Sequence, residues 1–580
     1  MFYRLCYFLL LFFCFSCHSG QQQELKEKAY ESRFKIFHGG DILTMDGDIG
    51  KQVEAVVVEG DSIIFVGSIR KAMERFPVAD DYNLEGKTMM PGFIEPELHP
   101  FLGALCLSMP IIAPEDWELP DRLWTAARDP QAYRKRLQQE LKLLKHPKAL
   151  FFSWGYHPLF HGRLTIHSLD SIAKGRPMGI WHRSTQEFLL NQEMMDILGT
   201  SASELKSFPR EVQDQVDLAA GVFKEKGALI YLLPKIFPIL AADNRLRAGL
   251  EQLIELLHAK GITTICETGS MIRPQNVAVY LEILGSDDSP LNSFFIPGSG
   301  TFYHQYGAAI IDSLELKIEQ FPDHPKIKVL ENQISIRGDG AFISGNFVMK
   351  NPRLQMAKPI WLQKPEEITT LMDIFWEEPY RIHYHADGDQ AIHLGLEKVM
   401  QKRKQIPSGF QAFTLVNFTC AEFEEIETVR DLGGMINANP YLLTAFGETF
   451  SKAALGVVRS HAICPLGMVE KLGIPFGLHS GLPVAPADPL FLAWCSANRQ
   501  SMEGNVLRQD LEVSLDAALK GITINAAKVI GLEERLGSIT VGKEASFTIL
   551  NQNPYVVGKE KLKDIEVSAT VYKGRIFPVK

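Results

Sequence analysis

The hydrophobic pattern at the two ends of the chain is typical of β-structure. The β-rich runs lie at 53–58, 62–66, 537–543, 546–550 and 567–577. The first two flank the turn Glu59-Gly60-Asp61 and predict a hairpin. We therefore predict one β-sandwich that is built from both chain ends, residues 34–90 and 535–580.

Between these ends, short apolar runs alternate with helical patterns, which predicts βα units and a parallel sheet. One helix is marked by leucines at helical spacing from Leu246 to Leu257, and others are expected at 390–402 and 421–432. Residues 105–240 are too long for one crossover, so we expect an inserted subdomain there, within an α/β unit covering 91–534. Eight runs are the predicted strands: 90–96, 178–183, 262–266, 333–336, 380–384, 413–416, 435–437 and 475–478.

The segment 88–100 carries the first candidate chemistry. It is a buried apolar run that ends in Glu97 and His99, two polar residues at positions i and i+2. In a strand these side chains share one face, and in a parallel barrel the carboxyl ends of the strands build the active site. The alternative is a strand end with a surface glutamate and a capping histidine.

Composition narrows the class of protein. Of the 580 residues, 46% are hydrophobic and 22% are charged, and the net charge is −9, as in ordinary globular proteins. The chain lacks the basic patch that nucleic-acid binding needs, so nucleic acid is not an expected partner. Cys106, Cys266, Cys420, Cys464 and Cys495 are scattered without CxxC spacing, which predicts buried thiols rather than disulfides or a zinc knuckle.

The N-terminus predicts export. An apolar run of eleven residues, 5–15, follows one positive charge, and it is too short to span a bilayer. Ser16-Cys17 follows the run and resembles a bacterial lipobox, although Cys14 and Phe15 depart from the usual residues. We expect a signal peptide at 1–17, lipidation of Cys17, a tether at 18–33 and a lipid anchor at the bacterial cell envelope. Plain secretion after a nearby cut is the alternative.

At this point the chain resembles the amidohydrolase superfamily, and within it amidohydrolase family 3, the group that includes N-substituted formamide deformylase-like proteins. The resemblance covers nearly everything after residue 33. The segments that carry it are 86–94 (GKTMMPGFI), 383–391 (HYHADGDQA), 480–486 (SGLPVAP), 525–528 (NAAK) and 537–555.

The resemblance implies an α/β fold, a distorted TIM (β/α)8 barrel with a β-sandwich formed by both chain ends and an inserted subdomain after strand 1. It also implies metal-assisted hydrolysis of a carbon–nitrogen bond that is not a peptide bond. The family's site has an HxH pair after strand 1, a carboxylated lysine on strand 4, histidines on strands 5 and 6, and an aspartate after strand 8 as the general base.

This sequence departs from the family at most of those positions. Glu97 stands for the first histidine of HxH, and Ser335 for the lysine. Asn417 replaces the histidine of strand 6, and Gly481 the aspartate of strand 8. Gln186 lies where the inserted region of the family has a histidine.

Three possible donors remain: Glu97, His99 and His385. Three nitrogen and oxygen ligands can hold one zinc-like divalent ion with an open position, so a mononuclear site is chemically possible. The nearby candidates for a base or a fourth ligand are Asp339, Asp387, Asp389 and His479. Each has a structural alternative: Asp389 could bind backbone groups at the start of a helix, and His479 could be a packed barrel residue.

Three hypotheses follow. The first is a hydrolase for a small amide or formamide, in which one metal is held by Glu97, His99 and His385, and Asp389 or His479 assists. The second is a catalytically inactive exported lipoprotein that binds a small molecule or a partner in the barrel. The third is hydrolysis without metal, with Glu97 as the general acid and base and a histidine as helper.

Overall fold

A computed structural model describes residues 33–47, 50–240, 245–354, 356–405, 412–453 and 455–579. The predicted signal peptide, the lipidation site Cys17 and nearly all of the tether lie outside the described residues.

The centre of the chain is a barrel of parallel strands, which confirms the predicted fold class. We number these strands β1 to β8 in chain order. They are β1 (Phe93–Glu95), β2 (Ile262–Ser270), β3 (Asn292–Pro297), β4 (Gln333–Arg337), β5 (Arg381–Ala386), β6 (Phe413–Asn417), β7 (Met435–Ala438) and β8 (Phe476–Leu478).

The barrel is distorted because two pairs of neighbouring strands, β3 with β4 and β8 with β1, lack a continuous series of backbone hydrogen bonds. Strands β1 to β3 and β4 to β8 form two parallel sheets, and β3 also pairs with the short strand Ile327–Val329. A single bridge, Gly298 to Ser335, connects β3 with β4. Between β8 and β1, the amide of Gly481 donates to the carbonyl of Glu97 at 3.0 Å.

Helices follow the strands around the barrel. The predicted helices at 246–257, 390–402 and 421–432 are confirmed as Arg245–Ala259, Asp389–Gln405 and Phe423–Asp431. The other helices of this region are Pro100–Leu107, Pro274–Ile283, Ser299–Tyr306, Ile310–Glu319, Pro365–Glu377, Tyr441–Ala453, Gly456–Ser460, Leu466–Lys471, Pro489–Asn498, Leu515–Gly521 and Ile524–Val529.

One predicted barrel strand was wrong. The run at 178–183 forms Met178–His182, which pairs with Phe151–Tyr156 in the sheet of the inserted region instead of in the barrel. Its place in the count of eight belongs to Asn292–Pro297, β3. Both runs are short, apolar and fully buried. Burial pattern alone cannot tell which sheet such a strand joins.

The inserted region follows the helix Pro100–Leu107 and returns to the barrel at Arg245–Ala259. Its main sheet has five strands and its second sheet is a hairpin. The strands are Trp117–Leu119, Arg122–Trp124, Phe151–Tyr156, Met178–His182, Glu187–Leu190, Val216–Asp217 and Val222–Lys224. The helices are Pro130–Leu143, Pro158–His161, Ile166–Ala173, Gln192–Ile197, Ala202–Leu205, Arg210–Gln213 and Leu233–Leu240, with a π-helical turn at Gly227–Leu232.

Both chain ends build one eight-stranded sheet with its own apolar core, which includes Phe37, Val56, Met89, Phe547 and Val571. The two ends meet where Thr88–Pro91 pairs antiparallel with Phe547–Leu550. The other strands are Phe34–Leu43, Gln52–Glu59, Ser62–Gly67, Asp80–Asn83, Val567–Tyr572 and Arg575–Pro578.

One expected strand of this sheet was also wrong. The segment 537–543 is not a strand, because Gly537 and Gly542 have φ values of +85° and +91°, which a strand does not accept. Ile539 within it is still buried in the core of the sheet.

Within the described part of the chain, no helix has the length and apolar character needed to cross a bilayer. The five cysteines after the N-terminal segment are free and buried, as their spacing predicted.

Candidate active site

The predicted strand over 88–100 is two strands and a loop. Thr88–Pro91 belongs to the terminal sheet and Phe93–Glu95 to the barrel, separated by Gly92. A Cβ atom at Gly92 would lie 2.1 Å from Oγ1 of Thr263, so only glycine lets the chain pass β2 this closely. Glu97 and His99 therefore lie in the loop after β1, and His99 precedes the helix Pro100–Leu107. The strand-face argument for this pair was wrong.

Glu97 is almost completely enclosed, with 2% of its surface exposed. Its Oε2 atom has no hydrogen-bond partner in the described residues. Burial raises the pKa of Glu97, whereas the charges of His99 and Arg337 and a hydrogen bond from Thr268 act against this rise. A buried carboxyl group with a raised pKa and a free oxygen is suited to accept and return a proton.

His479 faces Glu97. Its Nε2 atom lies 4.0 Å from Oε2 of Glu97, and neither of its ring nitrogens has a hydrogen-bond partner in the part of the chain that the structure describes. Burial, with a contribution from His99, lowers the pKa of His479 to about 3, so the ring is neutral at pH 7. The structure thus brings together two predicted site residues, each with a buried and unpaired polar atom.

His99 has a different partner. Its Nδ1 atom lies 3.5 Å from Oε1 of Glu267, a residue of β2. Glu267 was not predicted as a site residue. It directly follows the predicted strand 262–266, so the rule that site residues lie at the carboxyl ends of strands applied to it as well.

His385 is held by the residue that replaces the family's next histidine. Asn417 donates its side-chain amide to Nε2 of His385 at 2.8 Å and to Oδ2 of Asp387 at 3.1 Å. Since Nε2 accepts this bond, the proton of the neutral ring is on Nδ1. Burial and the charge of Arg337 lower the pKa of His385 well below its usual value.

Asp387 and Asp339 organise the backbone around this pair. Asp387 accepts hydrogen bonds from the amide of Phe342 and the hydroxyl of Thr419. Asp339 accepts three backbone N–H bonds, from Asp387, Gly388 and Val348, at 2.8 to 2.9 Å. Burial raises the pKa of Asp387 to about 6. These contacts account for both carboxyl groups as structural elements.

Asp389 points elsewhere. One of its carboxyl oxygens accepts from the amide of Lys350 at 2.6 Å, and the other pairs with the guanidinium of Arg459. No hydrogen bond or ion pair in the described chain connects it to Glu97, His99 or His385. The catalytic role predicted for Asp389 stays a prediction, without a contact that supports it.

The other replaced positions lie at the same end of the barrel. Ser335 is on β4. A Cβ atom at Gly481 would lie 3.6 Å from Nδ1 of His479, so the position of the family's base adjoins that ring. Gln186, in its favoured amide orientation, donates to the carboxylate of Glu225, a buried residue of the inserted region.

These donors do not fit a metal ion in this arrangement. Across the described ranges, no three His, Cys, Asp or Glu side chains converge as a metal site. Asn417 also occupies the Nε2 lone pair with which His385 could coordinate a metal. Among the described residues, Glu97, His99 and His385 do not converge on one point, and the predicted three-ligand site stays a prediction.

Comparison with known proteins identifies the group. The sequence profile described as "Amidohydrolase family" matches residues 82–578. The chain belongs to the amidohydrolase family. The resemblance drawn from the sequence motifs is thereby confirmed.

Relatives of this amidohydrolase-family chain span most of its length at low identity. It is 22% identical to the N-substituted formamide deformylase of Arthrobacter pascens over 533 residues, which is 90% of this chain and 94% of that protein. It is also 22% identical to the putative amidohydrolase YtcJ of Bacillus subtilis over 564 residues, covering 93% of this chain and 98% of YtcJ.

Solved structures support the fold of this family member. The structure of an uncharacterized metal-dependent hydrolase from Pyrococcus horikoshii aligns with a TM-score of 0.69 at 18% identity, over 91% of this chain and 99% of that one. A second such hydrolase, from Pyrococcus furiosus, aligns with a TM-score of 0.64 at 18% identity, over 90% and 99% of the two chains.

Proposed function

We propose that this family member hydrolyses a non-peptide carbon–nitrogen bond of a small amide, with Glu97 as the acid–base group. The observation that carries the proposal is the pair of unpaired polar atoms, Oε2 of Glu97 and Nε2 of His479, 4.0 Å apart in a buried site. Two atoms at this separation can both hydrogen-bond to one water molecule or one substrate atom between them.

The step uses the residues of this chain alone. Glu97, as the carboxylate, takes a proton from a water molecule while the water oxygen attacks the carbonyl carbon. Glu97 then gives this proton to the amide nitrogen as the carbon–nitrogen bond breaks, which yields a carboxylic acid and an amine. His479 orients the water. The name of the formamide deformylase relative supports N-substituted formamides as the first class of substrate to test.

The second candidate is a protein that binds a small molecule in the barrel without turnover. Gly481 favours it, because glycine cannot act as the base that the resemblance expects at this position. The retained barrel would then serve recognition only.

Glu97→Gln separates the two candidates. The variant keeps the shape of the side chain but cannot take up a proton. We expect formate release from N-substituted formamides by the parent protein and a fall of at least about 100-fold in the variant. The exposed Glu397→Gln is the matched control and should behave as the parent. Ligand-induced thermal stabilisation without any formate release, in parent and variant alike, would contradict hydrolysis and support binding alone.

We also propose, on sequence grounds, that the chain is exported and lipidated at Cys17. Its partners are then a small-molecule ligand and the membrane that holds the anchor. We expect cells expressing the full chain to incorporate an alkyne-labelled fatty acid into it, and Cys17→Ala to lose the label and leave the membrane fraction. A labelled Cys17→Ala variant, or an unlabelled parent in the same fraction, would exclude this anchor.

A further inference from the structure

The last residue of β4 is an arginine at the carboxyl end of the barrel, where the candidate site lies. Arg337 follows Ser335 by two residues on the strand, and its backbone amide donates to Oε1 of Gln363 at 2.7 Å. The side chain is partly buried. A Cβ atom placed on Gly269 of β2 would lie 3.5 Å from Nε of Arg337 and 3.5 Å from Oγ of Ser335. The guanidinium therefore lies beside two small residues, glycine and serine.

The charge of Arg337 acts on the candidate site. It opposes the rise in the pKa of Glu97 and lowers the pKa of His385. Arg337 is also the direct neighbour of His385 in the ladder between β4 and β5, so its charge lies within electrostatic reach of both Glu97 and His385.

Two other enclosed arginines use most of their donors within the chain, although Nε of Arg183 has no partner in the described residues. Arg183 pairs with Glu115 and donates to the hydroxyl of Tyr441. Arg499 donates to the backbone carbonyls of Leu507, Cys464, His461 and Ile463. By contrast, no residue in the described ranges forms a hydrogen bond or ion pair with the guanidinium of Arg337. Five N–H donors and one positive charge therefore remain available there.

We propose that Arg337 binds a carboxylate of the small molecule held in the barrel. The inference rests on the proposed function for the position of the reacting bond, and it adds the substrate class: amides that carry a free carboxylate close to the carbon–nitrogen bond. The planar fork of a guanidinium matches a carboxylate with two parallel hydrogen bonds. Its neighbours Ser335 and Gly269 carry a small side chain and none, so neither blocks the guanidinium with bulk.

A carboxylate suits these surroundings better than a phosphate. Glu97, Glu225 and Asp387 all lie within electrostatic reach of the site, and they would repel a group of two negative charges more than a group of one. A single guanidinium balances one negative charge.

The test uses a matched ligand pair, N-formylglycine and N-formylglycinamide, which differ only in carboxylate against carboxamide. For the parent protein we expect a Kd at least about tenfold lower for N-formylglycine, from charge-assisted bidentate bonding. Arg337→Met should abolish this preference and leave the Kd of N-formylglycinamide unchanged, which also shows that the variant is folded. Arg337→Lys should retain part of the preference, and the exposed Arg134→Met should retain all of it.

Equal affinity of the parent protein for the two ligands, lack of binding by both, or a preference that survives Arg337→Met would each overturn the proposal. Formate release is measured on the same samples. Tighter binding of N-formylglycine without formate release would support the carboxylate site and contradict hydrolysis. Formate release at equal rates from both ligands keeps hydrolysis and rejects the carboxylate site.

Discussion

At the residue scale, Asn417 shows how a position of the family's site has acquired a structural task. Its φ of +71° lies in the left-handed region, which asparagine tolerates better than most residues. From there its amide reaches both His385 and Asp387. A histidine in its place would offer a ring nitrogen to a metal, whereas the amide hydrogens of asparagine occupy the lone pair of His385.

This arrangement predicts a specific order of stability. Asn417→Ala removes both bonds, leaves Nε2 of His385 without a partner and keeps a side chain at positive φ, so we expect a loss of about 1–3 kcal/mol. Asn417→Gly removes the same bonds without the backbone strain and should melt between the parent and the alanine variant. Thermal melting of the three proteins checks the order, and an alanine variant as stable as the parent would show that the two bonds contribute nothing.

Part of the candidate site followed from the sequence and part did not. Glu97 and His479 lie together; Glu97 was predicted from the end of the apolar run 88–100 and His479 as a nearby base or fourth ligand. Glu267 and Arg337 were missed, because the strand-end rule was applied to β1 and not to β2 and β4. The role of Asp389 stays a prediction: its position in a motif suggested chemistry, whereas its contacts with Arg459 and Lys350 depend on loops whose approach no sequence pattern reports.

At the element scale, the end of β1 is attached to the segment after β8 through a buried carboxyl group. Oε1 of Glu95 accepts from the amide of Ser480 at 2.7 Å. Burial raises the pKa of Glu95 to about 8. The folded protein thus holds Glu95 in its neutral form at pH 7.

The pH dependence of stability follows from this shift. In the unfolded chain Glu95 ionises near its usual pKa, below 5, whereas in the folded chain it stays protonated up to pH 8 or so. The stability contributed by its protonated state is complete below the unfolded pKa and is lost as the pH rises towards the folded value. Between pH 5 and 8, Glu95 should make the free energy of unfolding fall by up to about 1.4 kcal/mol per pH unit. Glu95→Gln should remove this fall. Melting curves over this range that are equally steep in parent and variant would contradict the assignment.

The strands of the barrel were largely predictable because their apolar runs are short and bounded by turns. The run 178–183 was predicted as a barrel strand in the place that β3 holds. The pattern could not separate the two, because a fully buried strand is largely apolar on both faces whichever sheet it joins. The strand expected at 537–543 failed for a local reason, the positive φ of two glycines.

At the scale of the whole molecule, the barrel and the inserted region both place residues near one site, and the two chain ends build a separate sheet. The terminal sheet is completed only when Thr88–Pro91 meets Phe547–Leu550, residues that are far apart in the sequence. The inserted region contributes Gln186 and Glu225 near Arg337, as their mutual contact and the charge of Arg337 on Glu225 show. This architecture is that of the family, whereas serine, asparagine and glycine stand at three positions where the resemblance expects a ligand or the base.

We propose that the site of this family member works without a bound metal, because serine, asparagine and glycine stand where the resemblance expects ligands and the base. Elemental analysis of the purified, extensively dialysed protein tests this most directly. We expect zinc, manganese and iron at well below one equivalent per chain. A chelator should leave ligand binding and any formate release unchanged. About one tightly bound equivalent per chain, removed together with the activity by the chelator, would contradict it.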